Sequence, residues 1–393
     1  MPTSLVSGNI WKIAVIRTVR SFLLIIPVIV LFFRENGLSL REVFILQSLF
    51  SVSAVVLEVP TGYLSDRFGR KNSIITGYLL GVVGHGVYSF SHGFRGFLLA
   101  ETLLGFGASF ISGSDSALLY DSLGELSRLR EHKRIEGRNT SLSLFSEGTA
   151  GILGGVLAMV SLRLPLYVES IVMCAGIPIA FLLVEPQRER LNAVHTARHE
   201  MVRIIRYALH EHAELRWLIL FSSVVGASTL TMVWFIQPYL AAAGLPLGYF
   251  GAVWAAFMFI GSFFSWHAHS VERSLGRTFS LVSLIAMPAL AYLILGTSDA
   301  LMAGFVIVLF YVTRGIHNPV LADYINQLVD SDIRATILSV KNLIGRSMFS
   351  IVGPFVGWAS DAYSLQTALL LCGMIFLVSG SATLLGLTRA TSH

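Results

Sequence analysis

The chain has 393 residues, of which 54% are hydrophobic and only 13% charged, with a mean hydropathy of +0.71. A soluble domain carries about 25% charged residues; in water a chain this apolar would expose aggregating patches, so its surface is expected to meet lipid. The formal net charge of +5 does not mark a nucleic-acid binder, because the basic residues sit in short loops, and the two cysteines, Cys174 and Cys372, stand far apart in apolar stretches and form neither a disulfide framework nor a metal spacing.

A spanning helix needs about 20 mostly apolar residues. In chain order, such segments are predicted at 11–33, 41–63, 73–91, 96–119, 139–161 and 165–184, then at 216–241, 248–270, 278–297, 301–324, 335–358 and 365–388. The N-terminus lacks the short apolar core and small-residue cleavage site of a secretory signal, so the first segment is expected to remain as a helix. Most connections are short and polar. The longer interval at 185–215 is rich in Arg and His, and 196–213 has the make-up of an amphipathic helix at a membrane surface. This predicts an all-α membrane protein of twelve spans in two six-helix bundles: 1–190, a cytoplasmic linker at 191–214, and 215–393.

Lys and Arg set the orientation. With the N-terminus inside, inner loops and the C-terminus hold 18 of them and outer loops hold four, Arg34, Arg41, Arg95 and Arg163. Both termini are therefore expected in the cytoplasm. The halves also echo one another. Arg138-Asn-Thr140-Ser-Leu142-Ser143 matches Arg334-Ala-Thr336-Ile-Leu338-Ser339, and Gly151-x-x-x-Gly155 matches Gly353-x-x-x-Gly357. Parallel repeats of this kind are found in transporters.

Between the second and third segments stands Gly62-Tyr-Leu64-Ser-Asp66-Arg67-Phe-Gly69-Arg70-Lys71. It resembles the G-x-L-[AS]-D-R-x-G-R-[KR] motif of the major facilitator superfamily, in the loop where that family carries it. Physically, Gly62 is expected to admit a neighbouring helix, and Gly69 to allow a tight reversal. Arg67, Arg70 and Lys71 hold the loop at the inner face. Asp66 is placed to meet the positive N-terminal end of another helix. The resemblance implies that this partner is the eleventh helix and that the loop is an inside latch. Glu272-Arg273-Ser-Leu-Gly276-Arg277 is a degenerate second copy, from which a weaker latch is expected.

Two places depart from the family's proton-driven exporters. Where they often carry Arg in helix four, this chain has Glu101. Helix five has Gly151-Ile-Leu-Gly154-Gly155 without the usual Pro, while a Gly-Pro pair appears at Gly353-Pro354.

A charged side chain at mid-helix costs about 2.5–3.5 kcal/mol on insertion scales, so it usually faces a cavity or a partner. Arg17 and Arg20 share one face of helix one. Asp115 and Asp121 lie in helix four, and Asp115 is expected to pair with Arg17, either as a proton-coupling site or as a static pair. Glu58 in helix two and Lys341 in helix eleven are expected to bridge and support the Asp66 latch, unless Lys341 snorkels to the surface. Glu101 and Glu147 are further acids able to titrate; Arg314 and Arg346 are substrate candidates. Trp234, Gln237, Tyr239, His317 and Asn318 are cavity candidates. Glu169 in helix six is a buried acid without an obvious partner.

His267-x-His269 points in opposed directions on a helix, and His195-x-x-x-His199 lies in the basic linker, so no metal site is expected; nor is any cofactor. There is no P-loop, G-x-S-x-G or H-E-x-x-H, which leaves enzyme chemistry without an anchor. The resulting expectation is a secondary active transporter of a small organic solute, working as a monomer in a bacterial inner membrane by alternating access. Proton-coupled efflux, as an antiporter, is the first reading. Transport of a polar or anionic metabolite, such as an iron-chelating compound, is the second. A transporter-like sensor or lipid-moving protein is a reading of a different class.

Overall fold

A computed structural model describes residues 3–186 and 203–391, and every regular element in them is helical. The side chains of Glu58, Asp66 and a few other helical residues lie outside this description, as do residues 187–202. The expected latch of Asp66, the Glu58–Lys341 bridge and the surface helix at 196–213 therefore fall, wholly or in part, outside the described residues.

Several predicted spans are interrupted. The first is a helix at Asn9–Arg20 (α1), a non-helical stretch, a 3-10 turn at Ile26–Val28 and a helix at Ile29–Glu35 (α2). Pro27 explains the break. It brings no N–H, and its ring excludes the carbonyl of residue 23 from a helical position. The second span divides at Leu57 into Leu40–Val56 (α3) and Glu58–Phe68 (α4), three residues before Pro60. The third is Arg70–Phe90 (α5). The fourth divides at Gly113 into Gly93–Ile111 (α6) and Ser114–Glu125 (α7). The fifth, His132–Ala158 (α8), begins seven residues before its predicted start. The sixth is Leu164–Ala175 (α9) and Ile177–Phe181 (α10), separated at Gly176 just before Pro178.

The remainder is more continuous. Residues 203–206 are helical and pass into a π-turn at Tyr207–Glu211. Then come Ala213–Ala242 (α11) and Phe250–Thr297 (α12), the second bent at Gly276, whose φ is +75°. A 3-10 stretch at Leu301–Ile307 leads into Val308–Gln327 (α13). Ser331–Ala362 (α14) and Leu365–Thr391 (α15) close the chain. Among the described residues, eight helical runs are long and apolar enough to cross a bilayer, and one of them, Leu247–Thr297, contains two of the twelve segments read from sequence.

The chain forms two compact units. The first comprises Met1–Leu38, Leu49–Leu191 and Leu247–Ala255; the second comprises Ser39–Ser48, Asn192–Pro246 and Ala256–His393. The core of the first gathers Ile13, Ile16, Ile74, Tyr78, Leu118 and Met173 from α1, α5, α7 and α9. The core of the second gathers Leu218, Phe221, Leu284, Leu321, Ile337 and Leu387 from α11 to α15, and Ile204, Tyr207 and Leu209 pack against it.

The repeated Gly-x-x-x-Gly pairs do the same work in each unit. In the first, a Cβ at Gly155 would sit 2.8 Å from the Gly251 nitrogen. In the second, a Cβ at Gly357 would sit 2.9 Å from Arg41 Cα and 2.8 Å from the Phe44 ring. Each pair lets its helix approach the opening turns of another helix, at a distance no larger residue permits. Gly62 is different. A Cβ there meets nothing within 4 Å, so the close helix approach expected at this glycine is not found among the described residues.

Candidate functional site

The break in helix one organises the first unit. Non-helical backbone at membrane depth survives only where protein or water satisfies its polar groups. Here the Ile25 N–H donates to Glu169 Oε2 at 3.0 Å. Glu169 is fully buried, and His85 Nδ1 lies 3.0 Å from its Oε1. Three residues further along α5, the Tyr88 hydroxyl donates to Glu101 Oε1 of α6 at 2.8 Å. Gly154 of α8 sits directly against the break, where a Cβ would fall 1.8 Å from the Leu24 carbonyl oxygen. The glycine run of helix five is thus needed to admit an unwound helix one.

Just before the break, α1 presents Arg17. Its Nε–H donates to Asp115 Oδ2 at 2.7 Å. Its two terminal nitrogens donate to Glu136, one of them to Oε1 at 3.2 Å. The Ser116 hydroxyl also donates to Glu136, and His132 Nε2 stands 3.7 Å from it. Asp115 opens α7 immediately after the Gly113 turn, and its own Oδ1 accepts the Ser116 N–H at 2.7 Å. Three helices therefore converge on one guanidinium, and two carboxylates share it. All three charged side chains are largely buried, with exposures of 14%, 13% and 22% for Arg17, Asp115 and Glu136. Arg20, one turn further on, is exposed and makes no ion pair among the described residues.

The loop motif has its own geometry. Gly69 adopts φ +100°, a conformation that glycine reaches without strain, and the chain then enters α5. The first two N–H groups of α5, from Arg70 and Lys71, donate to Glu185 Oε1 at 2.9 Å and Oε2 at 2.7 Å. A carboxylate on a helix N-terminus satisfies orphan donors and complements the helix dipole. The Arg70 guanidinium binds Asp121 and donates to the Ala117 carbonyl at 2.6 Å, which ties α5 to α7. Arg67 is exposed beside the Phe68 ring.

The second unit places its candidates differently. Tyr239 is buried, and its hydroxyl donates to the Ser298 and Ala300 carbonyls at 3.0 and 3.1 Å, which anchors that loop. Gln237 is buried, Trp234 half-buried and Asn318 exposed. Arg346 and Glu147 are half-buried and each has an interaction partner. His317 is buried against Ser222, and Lys341 is buried on α14. Arg314 is exposed.

Sequence reasoning passed over Glu136, Glu185 and His85. Glu136 was hidden by the late start assigned to helix five. Glu185-Pro186 marks the end of a span, and an acid there carries a local signal, but nothing local says which helix it caps. The pairing of His85 with Glu169 joins residues 84 apart and has no sequence signature.

An apolar, all-helical chain with spanning helices interrupted next to buried charge clusters has the construction of a membrane-embedded transporter. The chain belongs to the Major Facilitator Superfamily, whose family model matches residues 13–354. It is 20% identical over 360 residues to the uncharacterized MFS-type transporter YxaM of Bacillus subtilis, covering 90% of this chain and 89% of that protein. Multidrug resistance protein 2 of B. subtilis is 25% identical over 215 residues, about half of each chain at 53% and 52%. Among solved structures, the nucleoside transporter NupG superposes with a TM-score of 0.77 at 12% identity, over 98% of this chain and 99% of that one. It shares the fold. The protein is accordingly an integral membrane transporter that handles small molecules.

Proposed function

We propose that this transporter expels a small amphipathic solute in exchange for protons, by alternating access between bundles 1–190 and 215–393 joined by 191–214. The observation that carries the proposal is the pair of carboxylates, Asp115 and Glu136, on the single guanidinium of Arg17. With both acids ionised, the cluster carries one negative charge in excess. A proton taken by either acid neutralises it and frees one arm of the guanidinium. Charge neutralisation at a junction of three helices is a means of biasing two conformations. The partial match to a multidrug resistance protein supports efflux.

In this reading the protein is a monomer of twelve spans in a bacterial inner membrane, its termini cytoplasmic, and it catalyses no covalent chemistry. Asp66 closes the inner loop against helix eleven, and Glu58 bridges to Lys341 in the outward-open state. The test is solute flux in proteoliposomes with and without an imposed pH gradient. Wild-type protein should move a lipophilic cation such as tetraphenylphosphonium faster with the gradient. Asp115→Asn should lose most of that acceleration, and full proton-coupled flux in this variant would sink the assignment.

A second reading, transport of an anionic metabolite, is favoured by the basic residues within the spans of α13 and α14, Arg314, Lys341 and Arg346.

A further inference from the structure

Glu169 belongs neither to the cluster at Arg17 nor to the loop motif. It is fully buried on α9, and its two oxygens do different things. Oε2 accepts the Ile25 N–H at 3.0 Å, at the far end of the break in helix one. Oε1 lies 3.0 Å from His85 Nδ1 of α5. Both of these atoms are buried, and their approach is not aligned as a hydrogen bond, so neither has a hydrogen-bond partner among the described residues. His85 keeps 7% exposure. The ring, and not the acid, is therefore the member of the pair that solvent reaches.

The packing of α5 on α9 does not depend on this pair. Beside it, Ser89 Oγ lies 2.9 Å from Ser170 Oγ. Arg163, just ahead of α9, donates to the Ser89 and Ser91 carbonyls at 2.7 and 2.9 Å and to Asn36 Oδ1 at 2.6 Å. The other titratable groups on the surrounding helices are Tyr88 of α5 and Glu101 of α6, which bond each other, Arg20 of α1, which is exposed, and Glu147 of α8, two turns before Gly154. The site is also remote from the cluster at Arg17. Glu101 and Asp115 stand about 20 Å apart along helix four at ~1.5 Å per residue. Arg17 precedes the break and Ile25 ends it, so the two clusters flank the same unwound stretch.

We propose that Glu169 and His85 form a second proton-binding site, which locks the break of helix one while Glu169 is ionised and releases it when a proton binds. A carboxylate accepts an N–H about twice as strongly as a neutral group does, so the ionised acid holds Ile25 out of the helix. A proton that arrives through His85 forms an O–H bond at Oε1. The negative charge is lost, and the bond from Ile25 to Oε2 weakens. The nearest alternative for that N–H is the Ser21 carbonyl, four residues back, the bond of a continuous helix. Pro27 does not prevent it, because the proline ring bars the carbonyl of residue 23. Backbone donors at membrane depth do not stay unpaired, so the stretch has two defined arrangements. Gly154 of α8 lies directly against it and feels the change. The inference needs neither a solute nor a gradient, and a failed flux assay leaves it untouched.

The test uses the purified full-length protein in phosphatidylcholine liposomes. Hydrogen exchange of the stretch 21–26 is read by mass spectrometry and expressed relative to a peptide of α6 in the same sample, which cancels the intrinsic effect of pH. In the wild type this ratio should rise about tenfold from alkaline to acidic pH, the charge-assisted share of one hydrogen bond. Glu169→Gln keeps an acceptor without the charge and should exchange at the fast level at every pH. His85→Asn should move the midpoint of the change upward by about one pH unit, a shift that a packing role for the ring does not produce. An infrared difference spectrum between the two pH extremes should show a carboxylic acid band that Glu169→Gln lacks. A wild-type ratio that does not vary with pH overturns the proposal, and that result requires no variant to fold. A pH response that survives in Glu169→Gln assigns the proton to another group and overturns it equally. An unmoved midpoint in His85→Asn removes His85 from the site.

Discussion

Buried charge is handled in opposite ways in the two units. In the first, Arg17 meets Asp115 and Glu136 and Arg70 meets Asp121, in each case acids from another helix, and His85 Nδ1 lies 3.0 Å from Glu169. In the second, Lys341 and Arg314 show no ion pair among the described residues. The inner hairpins differ in the same sense. Both turn on a glycine with positive φ, Gly69 and Gly276. After Gly69 the helix start is capped by Glu185, and Arg70 reaches the buried end of α7. After Gly276, Arg277 reaches Glu214 with 45% of its side chain exposed and lies over the Tyr324 ring. The first unit is cross-linked by buried ion pairs between its helices, while the pair described between helices of the second, Arg277 with Glu214, is partly exposed.

The contrast is sharpest at Arg17. Arg17→Ala leaves Asp115 and Glu136 facing each other without a counter-ion, and removing one partner from a buried cluster costs about 3–5 kcal/mol. A thermal melt of the purified protein should show the loss. The deficit should shrink as pH falls, because like charges raise a carboxylate's affinity for protons and protonating either acid relieves the repulsion. A loss that is independent of pH would break the comparison, since it would reflect packing alone.

The hairpins provide the next effect. Arg70→Ala should destabilise by about 1–3 kcal/mol, because it leaves Asp121 and a carbonyl of α7 unmet. Arg277→Ala should cost no more than about 1 kcal/mol, as an exposed pair does. Equal melting shifts for the two variants would show the hairpins to be mechanically equivalent. The smallest effect belongs to Glu185→Gln, which keeps an acceptor but removes the charge at the α5 terminus. About 0.5–1 kcal/mol is expected, and hydrogen exchange at the first turn of α5 should rise more than elsewhere in the unit.

Much of the fold was legible because lipid imposes simple rules. Apolar run length located most helices to within a few residues, but the breaks near Pro27, Pro60 and Pro178 fall inside segments read as continuous. The repeated Gly-x-x-x-Gly pairs were visible as a pattern, but the atoms they face, Gly251 and Arg41, were not. Asp115 and Arg17 were within reach of a depth argument because each lies on a helix of known polarity. Glu136 and Glu185 escaped it because they sit at helix ends, where depth does not restrict partners.

The sequence by itself determined that this is a membrane protein and to which family it belongs. Those properties follow from hydropathy and from one contiguous loop motif, both of them local along the chain. Only the tertiary structure decided which charges are neutralised. An ion pair depends on the rotation and depth of helices far apart in sequence, as the meeting of Arg17 with Asp115 and Glu136 shows.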